Sequence, residues 1–373
     1  MNPRASVFVP ERSCMLQQSE VVKENSNVGT QTVGESGRNN DLVDCAMDPT
    51  SLIYVVESAL ENSDVDDDLT LLKTKFDPGG TRSETEMTIN EESGLPKHVH
   101  ALFVQTFEQP DFPIESSDGL KHLLHDHQDT FASSSSDLGY CDILQHDIDT
   151  GDAQPIRQAP RKSPLAACDA EDEILNDMLE TGVIKPSNSS WASPVCLVHK
   201  KDGTFCFCID YHRVNAVSKK DVFLIPDIQD ALDDLRGAKY FATFDLLSGY
   251  WQLSITEKAK ERSAFCTRRG ILQFTQMPFS LSGAPGSLCR LMSSVLRDLL
   301  WEICLCYLDD IIIFGHTPQE PLERIRTVSD RLRLVGLKVK PSKCVLFKTE
   351  IEYLGHLVSA AGIHPMEDKV GAL

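Results

Sequence analysis

The sequence contains no uninterrupted apolar run of about 18 residues and no basic start followed by an apolar stretch of the secretory kind. Neither a helical membrane span nor a cleaved leader is expected, and no membrane partner. Its 12 cysteines fall into no regular framework. That argues against a disulfide scaffold and for free thiols in a reducing, intracellular setting such as the cytoplasm. Net positive charge is absent too, with 36 Lys+Arg against 56 Asp+Glu and a balance of −20. Spread evenly, such a charge would exclude nucleic acid as a partner. It is not spread evenly. Residues 1–150 hold 9 basic and 28 acidic side chains, which leaves 27 and 28 for residues 151–373. The second part is near neutral and keeps local basic clusters that suit phosphates.

Residues 1–94 also lack sustained periodicity, are rich in Ser, Asn, Asp and Glu, and include the run Asp64 to Asp68. This pattern predicts an acidic, mostly disordered leader, with Ser51–Val56 as a lone strand candidate. Two apparent sites do not survive inspection. Asp149-Thr150-Gly151 has the aspartic-protease tripeptide, but it lies between Asp147 and Asp152 rather than in an apolar strand, and no second copy exists. His122, His125, His127, His146 and Cys141 are zinc-ligand types without the paired spacing of a structural site.

What is present centres on Cys304–Phe314, where two apolar runs flank Asp309 and Asp310. The pattern predicts a β-hairpin with both carboxylates at its turn. Adjacent like charges at the end of an apolar strand are unfavourable unless cations compensate them. A two-metal phosphoryl-transfer site needs such a pair and a third carboxylate from another strand. Asp245, ending the run Tyr240–Leu246, is the candidate.

Other elements follow from local signals. A short amphipathic helix is predicted within 119–131. A helix over 170–181 carries Ile174, Leu175, Met178 and Leu179 on one side and stops at Gly182. A hairpin joins Val195–Lys200 to Phe205–Asp210 through an Asp-Gly turn. Pro226 opens a helix reaching about residue 236. A broad apolar stripe marks a helix over 286–300, and another over 318–335 sets Arg324, Arg326, Arg331 and Arg333 outward, on a solvated face or near nucleic acid. Strands arriving as hairpins rather than alternating regularly with helices predict an α+β fold.

Ordered blocks give the chain a relative. IDTGDAQPIRQ (148–158), SSWASPVCLVHKKDGT (189–204), FDLLSGYWQL (244–253), FTQMPFSL (274–281), YLDDIIIF (307–314), GLKVKPSKC (336–344) and YLGHLVS (353–359) resemble, in the same order, the reverse transcriptase of gypsy-type LTR retrotransposons. The resemblance covers roughly residues 95–373. It implies a lead-in over 95–166, fingers and an antiparallel palm over 167–357, and the start of a thumb over 358–373. RNase H and integrase regions of the family have no counterpart in the sequence. It further implies RNA-directed DNA polymerase activity on an RNA or DNA template with primer and dNTPs, with two Mg²⁺ ions or Mn²⁺ in their place. Asp245, Asp309 and Asp310 would be catalytic, and Asp245, Leu246 (through its carbonyl), Asp309 and Asp310 would face the metals. Lys200, Lys201, Tyr250, Phe279 and Lys343 would meet the nucleotide, Tyr250 by excluding a ribose 2′-hydroxyl and Lys343 also as a candidate proton donor. Tyr353, Leu354, Gly355 and His356 would form the primer grip.

Three positions depart from the family pattern: Cys206 and His212 stand where Arg is usual, and Ser280 replaces the Gly of MPFGL. A thiol cannot replace the charge-assisted hydrogen bonds of a phosphate-binding guanidinium. The departures raise a second expectation, a catalytically impaired remnant that binds nucleic acid or protein.

Overall fold

The computed structural model describes residues 94–161, 165–199, 205–219, 223 and 227–366. The acidic leader, the Ser51–Val56 strand candidate and the turn with Lys200 and Lys201 lie outside the described residues. No helix among the described residues is long and apolar enough to cross a membrane. The chain divides into two units. One takes residues 145–220 and 255–284 of the described part, the other residues up to 144, 221–254 and 285 onward.

The second unit holds α1 (Lys97–Phe107), α2 (Ser117–Asp126), α3 (Ile228–Asp234), β1 (Tyr240–Asp245), α4 (Ala284–Val295), β2 (Cys304–Tyr307), β3 (Asp310–Gly315), α5 (Glu320–Leu334), β4 (Val345–Lys348), β5 (Glu350–Tyr353), β6 (His356–Ser359) and β7 (Gly362–Pro365). Its main sheet has the order β4-β1-β3-β2 and is antiparallel throughout. Ile311, Ile312 and Ile313 are all buried, so β3 is covered on both faces, which is why its sequence is a continuous apolar run rather than an alternating one. One face packs Phe241, Leu305, Ile312 and Phe314 against Leu232 and Leu235 of the α3 region and Ile351, Tyr353 and Val358. Strands β5, β6 and β7 form a separate antiparallel meander.

Helix α5 is shorter than the 318–335 stripe suggested, and its arginines are engaged. Arg331 makes a bidentate pair with Asp298 at 2.8 and 2.7 Å. Arg333 bonds Asp129 at 2.9 Å, Arg326 reaches Asp126 at 3.4 Å, and Arg324 pairs with Glu320 at 3.0 Å. Beside them the buried His127 bonds Asp330 at 2.6 Å. The carboxylates beside them offset much of the positive charge of that row. The same bonds tie residues 117–130 to α5, and backbone bonds extend the tie. Ala132 N–H donates to the Val339 carbonyl, Val339 N–H to that of Thr130, and Tyr140 N–H to that of Gly336. The segment 95–144 is thus packed into the same unit as the four-stranded sheet.

The first unit has a five-stranded sheet ordered Ile184–Pro186, Gly270–Phe274, Phe265–Thr267, Ser193–His199, Phe205–Ile209. Only the pairing of Ser193–His199 with Phe265–Thr267 is parallel among the described registers of this sheet. Its longest helix, Leu165–Glu180, buries Ile174, Leu175 and Met178, and Gly182 follows with φ +73°. That left-handed conformation suits glycine as a helix stop. Asp149 accepts a hydrogen bond from the Gly151 N–H at 2.8 Å and pairs with Lys219 at 2.7 Å. The Lys219 bond, then that of Gly151, hold its carboxyl below the usual range. This Asp-Thr-Gly is a turn.

Candidate active site

The register of β1 against β3 builds the site. Asp310 stands directly opposite Asp245, and Ile311 opposite Phe244. Antiparallel partners have Cα atoms roughly 4.5–5.5 Å apart, so two carboxylates distant in sequence share one end of the sheet. Asp310 also pairs with Tyr307, which leaves Leu308-Asp309 as a two-residue loop. The expectation of both carboxylates at the turn is therefore corrected: Asp309 is in the loop and Asp310 begins the strand. Leu308 adopts φ +59°, a conformation that costs a branched residue on the order of 1 kcal/mol. The Leu246 N–H points to the Asp309 carbonyl at 3.4 Å, which ties the loop to the end of β1.

Asp245 is buried, and Asp309 and Asp310 are half-buried. The Lys343 ammonium lies 3.3 Å from Asp245 Oδ2 and 3.5 Å from Oδ1. Lys343 closes the short turn Pro341–Lys343, and the Lys340 N–H donates to the Asp245 carbonyl at 2.9 Å.

After β1, Gly249–Gln252 forms a 3₁₀ turn, entered through Ser248 at φ +50°, and Leu253–Ile255 is strand. A Cβ at Gly249 would lie 3.2 Å from the Asp309 Cβ and 3.3 Å from that of Leu246. Glycine here is a matter of space beside the carboxylate loop. Gln252 is fully buried; its amide donates to the carbonyls of Leu247 and Lys338, both at 2.8 Å, and accepts from the Lys338 N–H at 2.7 Å. Tyr250 is 4% exposed. Burial first, and then the nearby Asp309 charge, push its phenol up. Cys289, which local reading did not single out, lies beneath the same loop. Burial raises its thiol to about 11, against the effect of the Leu308 backbone and with that of Asp309.

The donors at this end of the sheet are carboxylate and carbonyl oxygens, which fit a hard divalent cation such as Mg²⁺. Among the described residues no three His, Cys, Asp or Glu side chains gather closely enough to hold an ion by themselves. The zinc candidates around His122 to His146 form no such group either.

Residues 198–358 match the family described as reverse transcriptase (RNA-dependent DNA polymerase). They belong to that family. The relatives are Pol polyproteins of transposons. The chain is 34% identical over 262 residues to that of transposon 297 and 31% identical over 250 residues to that of gypsy, both from Drosophila melanogaster, covering 68% and 65% of this chain. It spans 24% of each of those relatives. In fold it is similar to the foamy viral protease-reverse transcriptase, with a TM-score of 0.68 for the complex with RNA/DNA hybrid and 0.69 for a complex with double-stranded DNA, at 23% identity. Those superpositions cover 73% and 79% of this chain and 37% and 51% of the other. The chain carries a retrotransposon reverse transcriptase domain of α+β architecture.

The remaining expected positions of the reverse transcriptase domain fall in three places. Tyr353 and His356 are opposite partners, so Leu354-Gly355 is a two-residue hairpin turn, with φ +48° and +80°. Positive φ at both central residues is the twist-matched hairpin geometry, and glycine at the second eases it. Phe279 is half-buried in the other unit. Lys200 and Lys201 lie outside the described residues, as does the Cys206 side chain. His212 is exposed and its Nδ1 lies 2.5 Å from Asp210, which also meets Arg161. Burial raises the Asp210 carboxyl, but the His212 bonds and the Arg161 charge outweigh it and hold the group below the usual range.

Ser280 gives a stability prediction. Its φ is +71°, a left-handed conformation in which a Cβ is strained and glycine is not. The Ser280 carbonyl accepts from Asn215 Nδ2 at 2.8 Å and the Ser282 N–H donates back to Asn215 Oδ1 at 3.0 Å, so the backbone is held in place by an amide clamp. Ser280→Gly is expected to stabilise the protein by roughly 1 kcal/mol, read as a rise of about 2–4 °C in melting temperature.

Proposed function

We propose that this domain extends a primer 3′ end with dNTPs on an RNA or DNA template. The observation that carries the reading is the in-register pairing of Asp245 with Asp310, with Asp309 in the adjoining loop. Asp245, Asp309 and the Leu246 carbonyl would hold two divalent cations, Mg²⁺ or Mn²⁺, which when bound lower the pKa of a primer hydroxyl and neutralise a triphosphate. Asp310 adds negative potential and orients the pair. Tyr250, buried beside Asp309, excludes a ribose 2′-hydroxyl by bulk. Lys200 and Lys201 meet the triphosphate, Phe279 lies beside the new base pair, and the Tyr353–His356 turn steadies the primer strand. The neighbours' complexes with RNA/DNA hybrid and with double-stranded DNA support a duplex as the partner, gripped through backbone shape rather than sequence.

Primer extension by the purified protein with Mg²⁺ or Mn²⁺, beside Asp309→Ala, tests the reading. A product that the substitution leaves intact removes this site as its source. Within the same assay, Tyr250→Ala is expected to admit ribonucleotides at least about tenfold more readily relative to dNTPs, the worth of roughly 1.4 kcal/mol of lost steric discrimination. An unchanged ratio would dismiss Tyr250 as the gate.

A further inference from the structure

We propose that Lys343 is the resident counter-cation of the metal-free site. Its ammonium occupies the Asp245 carboxylate so that a divalent ion alone loads poorly and loading favours an ion that arrives with a phosphate group. The inference rests on the reading of Asp245 as a cation ligand and assigns Lys343 a positioning role there.

The geometry is specific. Nζ approaches both oxygens of Asp245, at 3.3 and 3.5 Å, so the ammonium covers the edge that an ion would ligate. The Lys343 side chain is 33% exposed and that of Asp245 is 9%, which leaves the pair only partly screened by solvent. Its placement is built by the backbone. The Lys340 N–H anchors the turn to the Asp245 carbonyl, and directly after the turn Val345 of β4 pairs with Thr243 of β1. The ammonium is therefore delivered to Asp245 from the neighbouring strand.

Charge decides the consequence. A cluster of the buried Asp245 with the half-buried Asp309 and Asp310 is costly to keep charged, and the Lys343 ammonium relieves part of that cost. A dication binding Asp245 has to displace this ammonium or sit within a few ångströms of it, and the repulsion opposes entry. A triphosphate offers the displaced lysine new oxygens. Ion and nucleotide then enter as one, and Lys343 exchanges a carboxylate for a phosphate.

Direct Mn²⁺ binding to the full chain, followed by the loss of the free-ion electron paramagnetic resonance signal with no nucleotide present, tests this. Lys343→Met is expected to bind Mn²⁺ about tenfold more tightly than the wild type, Lys343→Gln to shift in the same direction, and Lys343→Arg to bind like the wild type. Equal affinity of the wild type and both neutral variants overturns the inference, as does tightening by Lys343→Arg, which keeps the charge. Asp245→Asn separates the two layers. If it leaves Mn²⁺ binding unchanged in every background, the ligand reading of Asp245 has failed. If it weakens binding while Lys343→Met has no effect, the counter-cation alone has failed. Melting temperatures without metal give a second readout: Lys343→Met melts lower than the wild type, and Mn²⁺ raises it by more.

Discussion

Asp309→Ala is expected to reduce primer extension by at least about a thousandfold while the protein melts as before. The size follows from the chemistry assigned to the site. Metal-assisted stabilisation of the reacting phosphate is worth several kcal/mol, and about 4 kcal/mol is three decades in rate. The unchanged melting follows from the geometry. Asp309 is a half-buried loop residue whose carbonyl, not its side chain, meets the Leu246 N–H. Removing the carboxylate leaves that bond in place and lessens the repulsion among neighbouring acids. The paired readout, activity beside a thermal melt, distinguishes a lost ligand from a lost fold. A variant that extends primers within tenfold of the wild type would refute the assignment.

Phe241→Ala is expected to cost about 3–5 kcal/mol of stability, read in urea denaturation as a lower midpoint at nearly constant slope. Phe241 is fully buried in β1, four residues before Asp245, and packs with Leu305, Ile312, Phe314 and Tyr353. The ring joins β1, β2, β3 and the Tyr353 turn in one cluster, and the cavity left by its removal has apolar walls on several elements that cannot all relax into it. Loss below about 1 kcal/mol would mean that the cluster does not support the strand that ends in the carboxylate.

Local pattern was informative where the cause is local. The continuous apolar run Ile311–Phe314 and the adjacent carboxylates pointed to the central strand, and the Ile174–Met178 stripe with Gly182 pointed to a helix and its stop. The α+β class was legible because the strands arrive as hairpins, whereas the antiparallel palm was implied by the family resemblance, since its β1–β3 and β1–β4 pairings join strands far apart in the chain. What could not be read locally depends on partners far along the chain. Lys343 meets Asp245 across 98 positions, and Arg333 meets Asp129 across 204. Periodicity said which face those arginines lie on and could not say that carboxylates wait there. The 3₁₀ turn at Gly249–Gln252 likewise has a cause that is not local. Its aromatic, apolar composition favours extended chain, and the turn is imposed by the close approach of Asp309 to Gly249 and by the buried Gln252 amide clamping Lys338.

The packing of residues 95–144 has a practical consequence for where this molecule can be cut. The family match begins at residue 198, yet Phe131, buried edge-on against Phe244 of β1, and the helices clamped to α5 come from well before it. A boundary drawn at the edge of sequence similarity would strip one wall from the sheet that holds the carboxylates. It would expose aromatic surface and leave Asp330 and Arg333 facing water in place of His127 and Asp129. The smallest autonomous piece of this domain is therefore larger than its recognisable motif core.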